Sequence, residues 1–164
     1  MDELKSQILK LLSENARYTN SQIAKMLGET EQKIAETVKK LETDGVIVKY
    51  SAIINNEILE NHNCVQALIE VKVSPQKLKG FDTYAEELYN FSEVTSLYLM
   101  SGGFDLAVFV EGKTLKDIAR FVSEKLSVID GITGVQTHFI LKKYKIEGQV
   151  TQNNSEPQRQ MVQA

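Results

Sequence analysis

The chain has 164 residues, 42% of them hydrophobic and 25% charged, which is ordinary for a folded globular protein and enough for one domain or two small ones. No run of apolar residues approaches a bilayer's thickness, and the start, Met1-Asp2-Glu3-Leu4-Lys5, is acidic and amphipathic, so a cytoplasmic protein without a membrane partner is expected. One cysteine, Cys64, excludes an internal disulfide; with only His62 and His138 beside it no metal-ligand spacing exists, and no metal or other cofactor is expected.

Leu4, Ile8, Leu11 and Leu12 place a first helix over residues 2–14, with Asp2 available as its cap. Thr19 followed three residues later by Gln22 is a capping box, Ile23, Ala24 and Leu27 make one apolar face, and Gly28 stands where a helix needs a left-handed stop. Thr30 can cap a further helix running from Glu31 to Asp44 and stopping at Gly45, with Ile34, Val38 and Leu41 inward. Two short amphipathic helices joined by a glycine turn form the unit that lays its second helix in a DNA major groove. The first 50 residues hold eight basic and eight acidic side chains, so the whole net charge of -3 falls on the rest. A neutral head predicts modest affinity per subunit, steep salt dependence and reliance on multivalency.

After Gly45 the pattern turns to period two, predicting a strand over residues 46–54 that leads away from a winged-helix-like head. Residues 51–63, of which 55–63 include four asparagines and no sustained period, read as a strand-bearing linker, and a second domain is expected over 64–148. Val65, Ala67, Ile69, Val71 and Val73 alternate as a strand ended by Pro75. A helix over 83–91 follows, carrying Tyr84, Leu88 and Phe91 on one side. Strands over 94–100 and 106–110 flank Ser101-Gly102-Gly103-Phe104-Asp105, a hairpin signal; a helix over 115–126 and a strand over 135–144 complete the order.

The sum is an α+β chain: a helix-turn-helix head on a ferredoxin-like β-α-β-β-α-β body whose two helices cover one sheet face. The other face, with Leu68, Tyr98 and Phe109, is bare, which predicts a homodimer packed sheet to sheet. Residues 149–164 are too poor in apolar side chains to fold and are expected to form a disordered tail.

The head, the exit motif Leu41-Glu42-Thr43-Asp44-Gly45-Val46-Ile47-Val48-Lys49-Tyr50 and the body with Gly102-Gly103-Phe104-Asp105 in its central turn together resemble the leucine-responsive and asparagine-operon regulator family, Lrp/AsnC, over residues 2–148. The resemblance implies a transcription factor whose body dimerises through its sheet and often assembles into octameric discs. It also implies an amino acid or related metabolite bound between dimers near the turn, at Gly102, Gly103, Phe104 and Asp105, with Thr137 on the last strand facing it. Glycine amides can donate to a ligand carboxylate, and Asp105 or Thr137 can accept from its amine.

The candidate DNA-binding set is Thr30, Gln32, Lys33, Thr37, Lys39 and Lys40: Gln32 and Thr37 as base readers, the three lysines as phosphate anchors. The helix departs from the family in holding Ala35, Glu36 and Thr37 where arginine is usual, so the two-pronged arginine contact to guanine is not available to it. That departure motivates a second reading, a small-molecule sensor or protein-interaction module whose head has left DNA. An enzyme on this fold lacks support, because no histidine, cysteine or carboxylate cluster accompanies a nucleophile.

Overall fold

The structure, a computed structural model, describes residues 3–59, 64–74 and 80–151. The chain divides between Ile54 and Asn55 into two compact units.

The N-terminal unit is built from α1 (Glu3–Glu14), α2 (Asn20–Leu27) and α3 (Glu31–Thr43). The Thr19 hydroxyl accepts the Gln22 amide at 3.2 Å while the Gln22 side chain accepts the Thr19 amide at 2.9 Å, so two of the amides left open at the helix start are satisfied. Gly28 ends α2 at φ +69°, a conformation that would cost an L side chain about 1 kcal/mol or more. Thr30 then starts α3 by accepting the Lys33 amide at 3.3 Å. Ile8, Ile23, Ala24, Ile34 and Leu41 are buried together, one patch from each helix, flanked by Leu4, Leu12, Tyr18, Leu27, Val38 and Ile47. Asp2, expected to cap α1, lies outside the described residues.

The strand expected over 46–54 does not form. The amides of Val46 and Ile47 both donate to the Leu41 carbonyl, at 2.9 and 3.0 Å, which closes the C-terminal end of α3, and Ile47 packs on the head core. Residues 48–54 join no helix or strand, and Val48 is 87% exposed. Alternating apolar residues make a strand only when a neighbouring strand takes their backbone groups, and no such neighbour exists among the described residues. The head is therefore three helices without a wing. In the expected linker, Asn56–Ile58 forms one 3-10 turn, and residues 60–63 lie outside the described set.

The C-terminal unit contains β1 (Val65–Val73), α4 (Phe81–Tyr89), β2 (Val94–Leu99), β3 (Leu106–Gly112), α5 (Leu115–Phe121, continued by one π turn, Val122–Leu126) and β4 (Ile132–Ile140). All pairs are antiparallel in the order β2-β3-β1-β4, the ferredoxin-like arrangement. Alternation sorts the faces: Ala67, Ile69, Val71 and Val73 of β1 and Leu106, Val108 and Val110 of β3 point to the core. There they meet Tyr84 and Leu88 of α4 and Ile118, Phe121 and Leu126 from α5 and its extension. Helix α4 stops two residues short of Phe91, which still joins the core by meeting Phe121 edge to face at 5.5 Å.

Strand β4 starts three residues before its expected position and ends four before it, because its ladder with β1 runs out: Ile140 stands opposite Gln66, one residue from the start of β1. The chain then makes a small hairpin, β5 (Lys145–Ile146) with β6 (Gln149–Val150), around Glu147 at φ +44° and Gly148 at φ +85°. Residues 149–151, expected to be disordered, are thus ordered by a two-residue turn, which the low apolar content of the tail concealed. Thr151 is buried, donating its amide to the Tyr144 carbonyl and its hydroxyl to the Lys143 carbonyl. The rest of the expected tail lies outside the described residues.

Candidate DNA-binding face and ligand turn

Helix α3 turns Ile34 and Leu41 into the head core, with Val38 packed against it, which leaves Gln32, Glu36, Lys39 and Lys40 exposed. The exposed groups are largely engaged with one another at helical spacing. The Lys33 ammonium pairs with Glu29 at 2.7 Å, the Gln32 amide donates to Glu36 at 3.0 Å, and the Thr37 hydroxyl donates to the Lys33 carbonyl at 2.7 Å. Thr30 is spent on capping. Lys39 and Lys40 have no acidic partner among the described residues, so they are the cations of this set most ready for a phosphate. Glu36 places a negative charge on the same surface, partly covered by the Gln32 amide. Below it, the Tyr50 hydroxyl donates to Glu42 at 2.9 Å, tying the chain that leaves the head to α3; burial first, and Glu42 second, push this phenol above its ordinary pKa.

In the body, the central turn closes β2 onto β3 with the Met100 amide donating to the Asp105 carbonyl at 2.8 Å. Asp105 is the anchor of the turn: its amide donates to the Val71 carbonyl at 3.0 Å and its carboxylate accepts the Val73 amide at 2.9 Å. One carboxylate oxygen is thus committed to β1, yet a carboxylate has further lone pairs to offer. Ser101, Gly102 and Gly103 are exposed, Phe104 half-buried. Gly102 sits at φ +154°, where only glycine rests comfortably, whereas Gly103 has no such constraint and open space around the position of a Cβ. Two of the four turn residues therefore present bare backbone to solvent.

Thr137 lies elsewhere. It pairs with Ile69 on the helix-covered side of β4, with β1 intervening between its strand and β3, while the turn abuts Val71 and Val73. Within one chain it does not face the turn, contrary to the expectation from sequence. Strand alternation about the known register of β1 would have shown it on the core face once the Ile69 pairing was known; sequence alone does not supply that pairing.

The uncovered sheet face carries Leu68 opposite Phe109, and Phe109 meets Tyr98 edge to face at 5.9 Å. Tyr98 is 55% exposed, and Ala107 is buried beside it. The same face holds a polar contact foreseen by no sequence motif, the His138 imidazole Nε2 at 3.2 Å from a Glu70 carboxylate oxygen across β1 and β4. Cys64 is no ready nucleophile: burial, then a hydrogen bond with Glu111, pushes its thiol up to about 11. Among the described residues no His, Cys, Asp and Glu group suits a metal ion, and no helix is long and apolar enough to cross a membrane.

Comparison with known proteins places both units. The family model for an AsnC-type helix-turn-helix domain matches residues 1–42, and that for an Lrp/AsnC ligand binding domain matches residues 66–150. The HTH-type transcriptional regulator YugG of Bacillus subtilis is 44% identical over 162 residues, covering 99% of this chain and 98% of its own length. The regulator LrpA of Pyrococcus horikoshii is 37% identical over 145 residues, 88% of this chain and 99% of its own. Among solved structures, the transcriptional regulator NMB0573 of Neisseria meningitidis, crystallised as a complex with L-Met, superposes with a TM-score of 0.68 at 25% identity, covering 89% of this chain and 93% of that one. From these matches, and from the three-helix head and β-α-β-β-α-β body that underlie them, the chain belongs to the Lrp/AsnC family of helix-turn-helix transcriptional regulators.

Proposed function

We propose that this regulator acts as a homodimer or larger ring that grips duplex DNA with paired heads and changes its grip when an amino acid or related metabolite binds at the central turn. The observation that carries the reading is the division of labour between the units: a compact head exposing Lys39 and Lys40 on α3, and a body with an uncovered apolar sheet face beside a turn of bare glycine backbone. Sheet-to-sheet pairing through Leu68, Tyr98 and Phe109 would bury that face and present two heads together, giving a pseudo-palindromic site. Lys33, Lys39 and Lys40 serve as phosphate anchors, Thr30 holds the first turn of α3 in place, and Gln32 and Thr37 reach base edges. Gln32 must leave Glu36 to do so.

At the turn, the amides of Gly102 and Gly103 meet a ligand carboxylate, Phe104 offers an apolar wall and Asp105 accepts from the amine. A Thr137 able to join this set would have to come from a neighbouring subunit, consistent with a site completed by assembly. A ligand there regulates only through unequal affinity for two assembly states. The complex of NMB0573 with L-Met supports an amino acid as the ligand class.

Calorimetric titration with each of the twenty amino acids, paired with light scattering for mass, tests this. Saturable heat from at least one, with a dimer or larger mass, is expected; a strict monomer that takes up none would end the reading. The alternative, a sensor whose head contacts protein, is favoured by one feature alone, the acidic Glu36 on the outward surface of α3.

A further inference from the structure

We propose that the body carries a second contact for the DNA backbone, formed by Lys142, Tyr144 and Lys145 in the segment between β4 and β5. The inference rests on DNA binding by the head.

Leu141-Lys142-Lys143-Tyr144-Lys145 puts three lysines into four residues, in a body that otherwise bears the chain's negative balance. Lys142, Tyr144 and Lys145 are all exposed, and Leu141 is 94% exposed, so these side chains are open to solvent. The Lys142 ammonium lies 5.3 Å from the Tyr144 ring centroid, which orders both side chains without neutralising the charge. Neither Lys142 nor Lys145 has an acidic partner among the described residues. Lys143 differs: it is half-buried and its charge acts on Cys64, beside Glu111, so it is left out of the contact.

The segment is also fixed in place at a telling point of the chain. Thr151 binds the carbonyls of Lys143 and Tyr144, and its own carbonyl accepts the Asn55 side-chain amide at 2.6 Å. Asn55 directly follows the head unit. The last residue packed on the head core is Ile47, and the seven residues 48–54 span at most about 25 Å. A duplex presents a phosphate charge every ~1.7 Å of its axis, so two exposed lysines tethered by this short chain to a DNA-binding head have a dense row of anionic partners to meet. The head needs such help: its charges cancel, and Lys33 is already paired with Glu29.

The test is the salt dependence of duplex binding by the full chain, wild type against the double variant Lys142→Gln/Lys145→Gln, with thermal unfolding to verify that the body is intact. Each phosphate contact contributes about 0.9 to the slope of log affinity on log salt, so the double variant should lose nearly 2 for each subunit engaged. On a duplex trimmed to the region under the heads, the two proteins should bind alike. An equal slope for variant and wild type on long duplexes would overturn the second contact while leaving the head's role intact. A wild type that binds no duplex even at low salt would remove both.

Discussion

Replacing Glu29 by Gln should make this protein a tighter DNA binder. Glu29 holds the Lys33 ammonium at 2.7 Å, with the two side chains 31% and 54% exposed. A pair that open to water contributes about 0.3–0.5 kcal/mol to the fold, and a negative charge just before α3 adds about 0.3–1 kcal/mol through the helix dipole. The variant should therefore lose about 1 kcal/mol of stability, a shift of a few degrees in Tm. In DNA binding the balance runs the other way. A lysine no longer neutralised from within can take one more phosphate per head, which steepens the log–log salt slope by about 0.9. If that contact vanishes near 1 M salt, affinity rises roughly 15-fold per head at 50 mM and about 4-fold at 200 mM. Fluorescence anisotropy with a labelled duplex across that salt range measures both quantities. Unchanged slope and affinity would show that Lys33 never reaches a phosphate, and weaker binding would show that Glu29 itself positions the helix on DNA.

The converse change, Lys39→Ala, should lower the salt slope by about one per head in the same assay, and an unaltered slope would remove Lys39 from the phosphate set. At Gly131, φ is +93° and an added Cβ would lie 2.0 Å from the hydroxyl of buried Tyr84, so Gly131→Ala should cost about 2–5 kcal/mol and lower the body's Tm by 10 °C or more, read by calorimetry. At Gly103 an added Cβ would have open space for 4 Å around it, so Gly103→Leu should fold normally yet lose the ligand response or change oligomer mass; wild-type behaviour in both would count against the turn. Glu93 accepts from Lys125 at 2.5 Å, and that hydrogen bond above all lowers its pKa. A carboxylate so held stabilises the fold above its unfolded value and loses that contribution as pH falls through the lowered one. Urea midpoints should therefore drop in acid, below about pH 5, more steeply for the wild type than for Glu93→Gln.

Local signals with a backbone mechanism were legible in the chain. The Thr19–Gln22 box, the Gly28 stop and the Thr30 cap all act within four residues, and each took the geometry that its chemistry demands. Strand alternation in β1 and the glycine pair between β2 and β3 were equally readable, because the pleat and the turn are local properties. What failed depended on partners distant in sequence. Residues 46–54 have a strand's alternation but no strand to pair with among the described residues, and β4 was misplaced because its limits are set by the two ends of β1. The position of Thr137 follows from the β1–β4 register, and the ordering of residues 149–151 from a hairpin and from Asn55, 96 positions away. On α3 the residue types were visible but their engagement was not: Glu29 and Glu36 occupy Lys33 and Gln32 at helical spacing, which turns two expected DNA contacts into groups that must first exchange partners.

Paired heads on a dimeric body, joined to DNA by backbone contacts and a few base edges, can be tested by selecting from a pool of random duplexes at low salt with the full-length protein. Enrichment of a pseudo-palindrome whose half-sites lie about one helical turn apart, or a multiple of it, is the expected result. A pool that emerges without any enriched sequence would contradict sequence recognition by α3 and leave the body's ligand chemistry as the chain's remaining function.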